Sequence, residues 1–149
     1  MIEKALCEAR KAATLDEVPV GAVFVLNGKI IARGHNLREK KQSILAHAEL
    51  VAMVRANRKL KSWRLLECDV YVTLEPCPMC TAALQQARVR HVYYGAPDPK
   101  AGAVSLGLRL HDNSRLNHRF QMTCLDNSEC GKILSRFFIQ ARRAKKKAR

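Results

Sequence analysis

The stretch Asp69–Leu74 is short, apolar and β-branched, and Pro76 stops it. Proline has no N–H for a continuing sheet ladder, but its fixed φ suits the first turn of a helix. Residues 77–87 therefore read as a helix beginning where a strand ends, and residues 89–95 read as the next strand. Upstream, residues 18–26 and 29–33 are β-rich runs joined by Asn27-Gly28, the strongest short-range hairpin signal. Before the hairpin, Ile2, Ala5, Leu6, Ala9, Ala12 and Ala13 recur at helical spacing in residues 2–15. Residues 46–60 also read as a helix, with Leu50, Val51 and Val54 on one face, while residues 34–43 and 96–117 read as loops. Residues 120–125 read as a last strand. Residues 126–128 then cap a final helix through about Arg143, with Ile133, Leu134, Phe137 and Phe138 facing inward. Helix, hairpin, then alternating helix and strand imply a mixed sheet with helices on both faces.

The 149 residues suit one domain, residues 1–149, without repeats or linkers. A chain of this length buries roughly 68–70% of its unfolded surface, so a core can form without disulfides. The longest uncharged runs, residues 18–28 and 77–87, are 11 residues each, whereas a membrane-spanning helix needs about 20 apolar residues. No secretory signal is visible at the N-terminus, so the expected compartment is the cytoplasm and the 6 cysteines are expected to be reduced.

Two segments carry chemistry. His47-Ala48-Glu49 opens one predicted helix, and Pro76-Cys77-Pro78-Met79-Cys80 opens another. Imidazole and thiolate together suit zinc. Cys77 and Cys80 are one helical turn apart, near free N–H groups and the positive end of the helix dipole, which favour thiolate. A histidine from a second helix start completes three ligands. A structural zinc site usually closes with four protein ligands, whereas a catalytic one leaves a position for water and lowers its pKa towards about 7. Glu49, two residues beyond His47, is close enough to hydrogen-bond that water. Each piece has a plainer alternative: a redox CxxC, a capping histidine, or a glutamate favoured by a helix N-terminus. A fourth ligand from Cys68 would make the site structural. The ordered combination, with about thirty residues between the two segments, is far more specific than its parts.

That combination is the signature of zinc-dependent nucleoside and nucleobase deaminases. The chain also resembles the bacterial tRNA-specific adenosine deaminases over nearly its whole length. The resemblance includes Glu17-Val18-Pro19-Val20-Gly21-Ala22, Gly34-His35-Asn36, the stretch Thr73-Leu74-Glu75-Pro76-Cys77-Pro78-Met79-Cys80, Asp98-Pro99-Lys100, Leu116-Asn117-His118 and Phe137-Phe138. It implies a cytidine-deaminase-like fold, a three-layer α/β/α sandwich around a central mixed five-stranded sheet. It implies one zinc ion per subunit held by His47, Cys77 and Cys80, with Glu49 as the proton carrier in hydrolytic conversion of adenosine to inosine at the wobble position of a tRNA anticodon loop. It further implies that Asn36 hydrogen-bonds the base, that Val18 and Pro19 wall the pocket, and that Asp98, Lys100 and Phe138 meet the RNA. The implied assembly is a homodimer. Two other readings compete: a deaminase of a free base or nucleoside of guanine or cytidine type, and a non-catalytic RNA-binding zinc module.

Charge supplies a second line. The chain carries 27 Lys and Arg against 13 Asp and Glu, a formal net charge of +14. Arg55, Arg58, Lys59, Lys61 and Arg64 form one run without an acid. Arg136, Arg142, Arg143, Lys145, Lys146, Lys147 and Arg149 form another, much of it in a basic C-terminal tail from about residue 141. Solvated surface explains such runs equally simply, but a polyanionic substrate would gain phosphate affinity and encounter rate from them.

Overall fold

The computed structural model describes residues 1–149. Helix α1 (Ile2–Ala13) leads to the hairpin of β1 (Gly21–Leu26) and β2 (Lys29–His35). A one-turn helix α2 (Arg38–Lys41) and helix α3 (Ala48–Leu60) come next. They are followed by β3 (Asp69–Leu74), α4 (Pro78–Gln86), β4 (His91–Ala96), β5 (Gln121–Cys124) and α5 (Ser128–Lys147). The strands form one five-stranded sheet in the order β2-β1-β3-β4-β5. β1 runs antiparallel to β2 and to β3, and the β3–β4 and β4–β5 pairs are parallel. Asn27 (φ 49°) and Gly28 (φ 74°) make the turn of the hairpin in the left-handed region, as a two-residue primed turn requires.

Alternation along the strands splits the core into two layers. Ala22, Phe24, Val70, Val72 and Val92 pack with Ala48, Ala52 and Ala56 of α3 and Leu84 of α4. On the other face Val23 and Val25 pack with Ala5 of α1, and Leu6 meets Ala96 and Cys130 of α5. This is the expected α/β/α sandwich.

The helices lie unusually close to the sheet. A Cβ built on Gly34 would stand 2.6 Å from the Ala48 carbonyl oxygen and from the Ala52 nitrogen. One on Gly21 would stand 2.1 Å from the Ala5 oxygen. That closeness corrects the expected face of α3. Its buried residues are Ala48, Glu49, Ala52, Met53 and Ala56, while Val54 is 47% exposed. Ala48 and Ala52 sit over Gly34, where the close approach leaves no room for larger side chains, while Leu50 packs partly against the core and Val54 points outward.

Other boundaries also moved. β1 starts at Gly21, whose N–H donates to the Thr73 hydroxyl at 3.1 Å, and residues 18–20 form an approach to the strand. Residues 34–43, expected to be a loop, hold the end of β2 and all of α2. The buried Glu17 carboxylate organises that turn by accepting from the Glu39 N–H at 3.1 Å and the Lys40 N–H at 2.6 Å. The final helix starts behind an Asn127 cap and runs to Lys147, so most of the basic tail is helical. Phe138, expected inside, is 44% exposed, because α5 outruns the sheet it packs on.

Glu8 fastens α1 to the hairpin. Its side chain is 3% exposed, accepts from Lys11 Nζ at 2.6 Å and meets His35 Nδ1 at 2.9 Å. Burial alone would raise its pKa, but the hydrogen bonds with Lys11 and His35 outweigh it and hold the carboxyl below its ordinary value. A depressed folded-state pKa stabilises the protein above the unfolded value and loses that contribution as pH falls through the folded one. Glu8→Gln is therefore expected to cost about 1–3 kcal/mol at neutral pH. In denaturant titrations the gap from the parent protein should shrink below about pH 4. A gap that stays constant across that range would show that the charge of Glu8 contributes nothing.

Candidate active site

α3 and α4 start at the same place. His47 is the N-cap of α3 and Cys77 the N-cap of α4, and neither side chain bonds its own helix backbone. Both side chains are left to face each other. Pro78 follows Cys77 at the first helical position, where its missing N–H costs nothing. Cys80, fully buried, lies one turn along α4.

One ligand atom from each of His47, Cys77 and Cys80 lies within 4.8 Å of the others. His47 Nδ1 is 3.7 Å from Cys77 Sγ and 3.5 Å from Cys80 Sγ. Tetrahedral coordination with usual zinc–nitrogen and zinc–sulfur bond lengths places such atoms about 3.5–3.8 Å apart. Spacing and donor chemistry both fit a thiolate-binding metal. Cys68 is not the fourth ligand: it is absent from this cluster and sits in the main core with Leu65 and Val70. A zinc ion held by these three residues would keep a fourth coordination position for water, as catalytic rather than structural sites do.

The electrostatics agree. The Cys77 thiol is held down to about 4, mainly by the Cys80 thiol hydrogen-bonded to it and then by His47. Cys80, sharing that proton and buried, is pushed up. Contact with Cys77 raises His47. Glu49, in the first turn of α3, is 4% exposed, and burial pushes its carboxyl up to about 7. A carboxyl poised there can both accept and give a proton at neutral pH.

His47, Cys77 and Glu49 border a cavity of about 150 Å³ that opens to solvent. Val18, Asn36, His47, Glu49, Cys77 and Asp98 line it, joined by Val20, Arg38, Ala48, Leu74, Glu75 and Ala101. Asn36 Nδ2 donates to the Val18 carbonyl at 3.2 Å and its Oδ1 accepts from the Arg38 N–H at 3.2 Å. One amide hydrogen of Asn36 remains for a ligand. Pro19 is buried and does not border the cavity. Lys100 and Phe138 border an adjoining groove, with Arg142, and that groove shares Val18, Leu74, Asp98 and Ala101 with the cavity. Sequence reasoning missed Arg38 and Glu75. Neither belongs to a metal-ligand pattern, although Glu75 stands directly before Pro76-Cys77.

Residues 1–142 match the MafB19-like deaminase family. A tRNA-specific adenosine deaminase of Bacillus subtilis is 46% identical over 149 residues, covering 99% of this chain and 92% of that protein. One of Agrobacterium fabrum is 46% identical over 142 residues, covering 95% and 93%. A solved structure from studies of A-to-I editing by tRNA:A34 deaminases at the wobble position superposes with a TM-score of 0.84 at 46% identity, covering 89% of this chain and 97% of that one. Bacillus subtilis guanine deaminase, by contrast, superposes with a TM-score of 0.63 at 28% identity, covering 96% and 91%. Signature, fold and full-length identity agree: the chain belongs to the MafB19-like deaminase family, together with the tRNA-specific adenosine deaminases.

Proposed function

We propose that this chain hydrolytically deaminates adenosine to inosine at the wobble position of a tRNA anticodon loop. The observation that carries this reading is a three-ligand His47–Cys77–Cys80 cluster whose His47 and Cys77 share one cavity with buried Glu49, in a chain 46% identical along its length to a tRNA-specific adenosine deaminase. The much lower identity to a guanine deaminase, 28%, speaks against a free-base substrate. A cluster of three protein ligands rather than four speaks against a purely structural zinc module.

His47, Cys77 and Cys80 would hold one zinc ion per subunit. Zinc bound there would supply the Lewis acidity that makes water a nucleophile at neutral pH. Glu49 takes one proton from the attacking water and gives it to the adenine ring, then takes the remaining proton of the new C6 hydroxyl and gives it to the amino group. The C6–N bond breaks, ammonia leaves, and the oxygen of the water stays as the C6 carbonyl. Asn36 offers its remaining N–H to the base, and Val18 supplies an apolar wall. Asp98, Lys100 and Phe138 border the groove continuous with the cavity, where nucleotides flanking the target base would lie. The base must leave its stack to enter such a cavity, and single-stranded loops supply unstacked bases at low cost.

Residues 1–149 then act as one deaminase domain, as a homodimer in the cytoplasm. No helix is long and apolar enough to cross a membrane. Ile44 (70% exposed) and Leu45 (62% exposed), just before His47, offer apolar surface of the kind that a subunit interface covers. The end of α5 presents Arg142, Arg143, Lys145, Lys146 and Lys147 on a helical arm suited to a phosphate backbone.

Glu49→Ala is expected to keep zinc and tRNA binding while losing at least about two to four orders of magnitude in rate. Near-normal turnover by that variant, measured as inosine formed, would rule out the assigned proton carrier. Deleting the residues after Gln140 removes six basic side chains. Binding of tRNA should weaken and the slope of log affinity against log salt should flatten. An unchanged slope would reduce the arm to a solubility device.

A further inference from the structure

Thirteen acidic residues are few for a chain this basic, yet one of them, Glu75, is buried at the cavity wall with 3% exposure. No step above uses it. Its Oε2 accepts from the Asp98 N–H at 2.8 Å and from the Ser105 hydroxyl at 2.6 Å, and its Oε1 accepts from the Ser105 N–H at 2.7 Å. Those donors stand at the two ends of one loop. Inside the loop, Asp98 Oδ1 accepts from the N–H groups of Lys100 and Ala101, each at 3.2 Å. The placement of Lys100 and Ala101 therefore depends on Asp98, and that of Asp98 on Glu75. Gly102 completes the arrangement, since a Cβ there would stand 2.2–2.5 Å from the Glu75 carboxylate atoms.

We propose that Glu75 is a positioning residue for RNA: its carboxylate clamps residues 98–105 against the start of α4, setting the loop wall that faces nucleotides beside the target base. The proposal rests on the tRNA-deaminase reading above. A carboxylate is required because the three donors converge on two oxygens and only an acceptor-only group satisfies them all. Each oxygen faces a backbone N–H, so a glutamine in either orientation turns its own NH2 toward one of them. The opposite side has a counterpart in Glu17, which holds α2 and hence Arg38 through the Glu39 and Lys40 N–H groups. Neither carboxylate donates a ligand atom to the His47–Cys77–Cys80 cluster. The metal ligands are placed by the helix starts, and the substrate-facing walls by these two buried acceptors.

The test compares the zinc-loaded parent protein with Glu75→Gln and, independently, Gly102→Ala, which displaces the same carboxylate from the other side. Three quantities are read: zinc per chain, amide hydrogen exchange at Asp98 and Ser105, and steady-state kinetics on an anticodon stem-loop with adenosine at the wobble position. In both variants zinc content should match the parent. Exchange at the loop amides should rise by about tenfold or more while β3 amides stay protected. KM for the stem-loop should rise by about tenfold with kcat within about threefold, the pattern of lost binding rather than lost chemistry. Unchanged exchange at Asp98 and Ser105 would overturn the clamp. Looser amides with an unchanged KM, or a fall in kcat tracking lost zinc, would overturn its role in RNA positioning. The exchange arm needs no RNA, so it decides the clamp even where the parent protein fails to turn over the stem-loop, an outcome that would instead refute the substrate assignment.

Discussion

Bringing one nitrogen and two sulfurs within 4.8 Å of one another, from residues thirty positions apart, requires two helices to begin at one point and hold there. The sheet meets that requirement through close approach. β1 lies between β2 and β3, so α3, packed over β2 and β1, and α4, continuing from β3, share a single core layer. Gly34 and the alanine face of α3 let the helix backbone settle against the strand. Both helix N-termini then present free N–H groups and positive dipole ends to the same small volume, which favours thiolate at Cys77.

Much of this was legible from residues alone. The proline between a β-branched run and Cys77 marked the strand-to-helix turn. Asn27-Gly28 marked the hairpin, and the ordered pair of short motifs marked the metal cluster and Glu49. What escaped had tertiary causes. The inward face of α3 could not be read from hydrophobicity, because closeness to Gly34 excludes large side chains there, while Val54 points outward. The turn at residues 34–43 looked polar and structureless because the acceptor that orders it, Glu17, lies 22 residues before Glu39. The helical end of α5 was hidden by a lysine-rich composition that reads as tail. Glu75 was hidden in the same way as Glu17, since its partners lie 23 and 30 residues downstream.

The buried carboxylates connect the fold to the charge. Glu8, Glu17, Glu49 and Glu75 are all buried, each occupied by backbone, side-chain or catalytic partners. With 13 acids in the whole chain, this withdraws a substantial part of the negative charge from the surface. The exterior is consequently more basic than the net charge of +14 conveys, and the basic end of α5 adjoins the groove through Arg142. A polyanion would be drawn to that face in a salt-dependent way, whereas a free nucleoside would gain little from it. Catalytic chemistry and substrate class are thus supported by separate features: the helix starts for the first, the placement of charge and loops for the second.

The most direct test of that combination is inosine formation from two substrates offered to the zinc-loaded protein. One is an anticodon stem-loop with adenosine at the wobble position, and the other is free adenosine. Inosine should appear in the stem-loop, at a rate that falls as salt is raised, with little or none from the free nucleoside. Efficient turnover of free adenosine with none of the stem-loop would contradict the assignment of RNA as substrate.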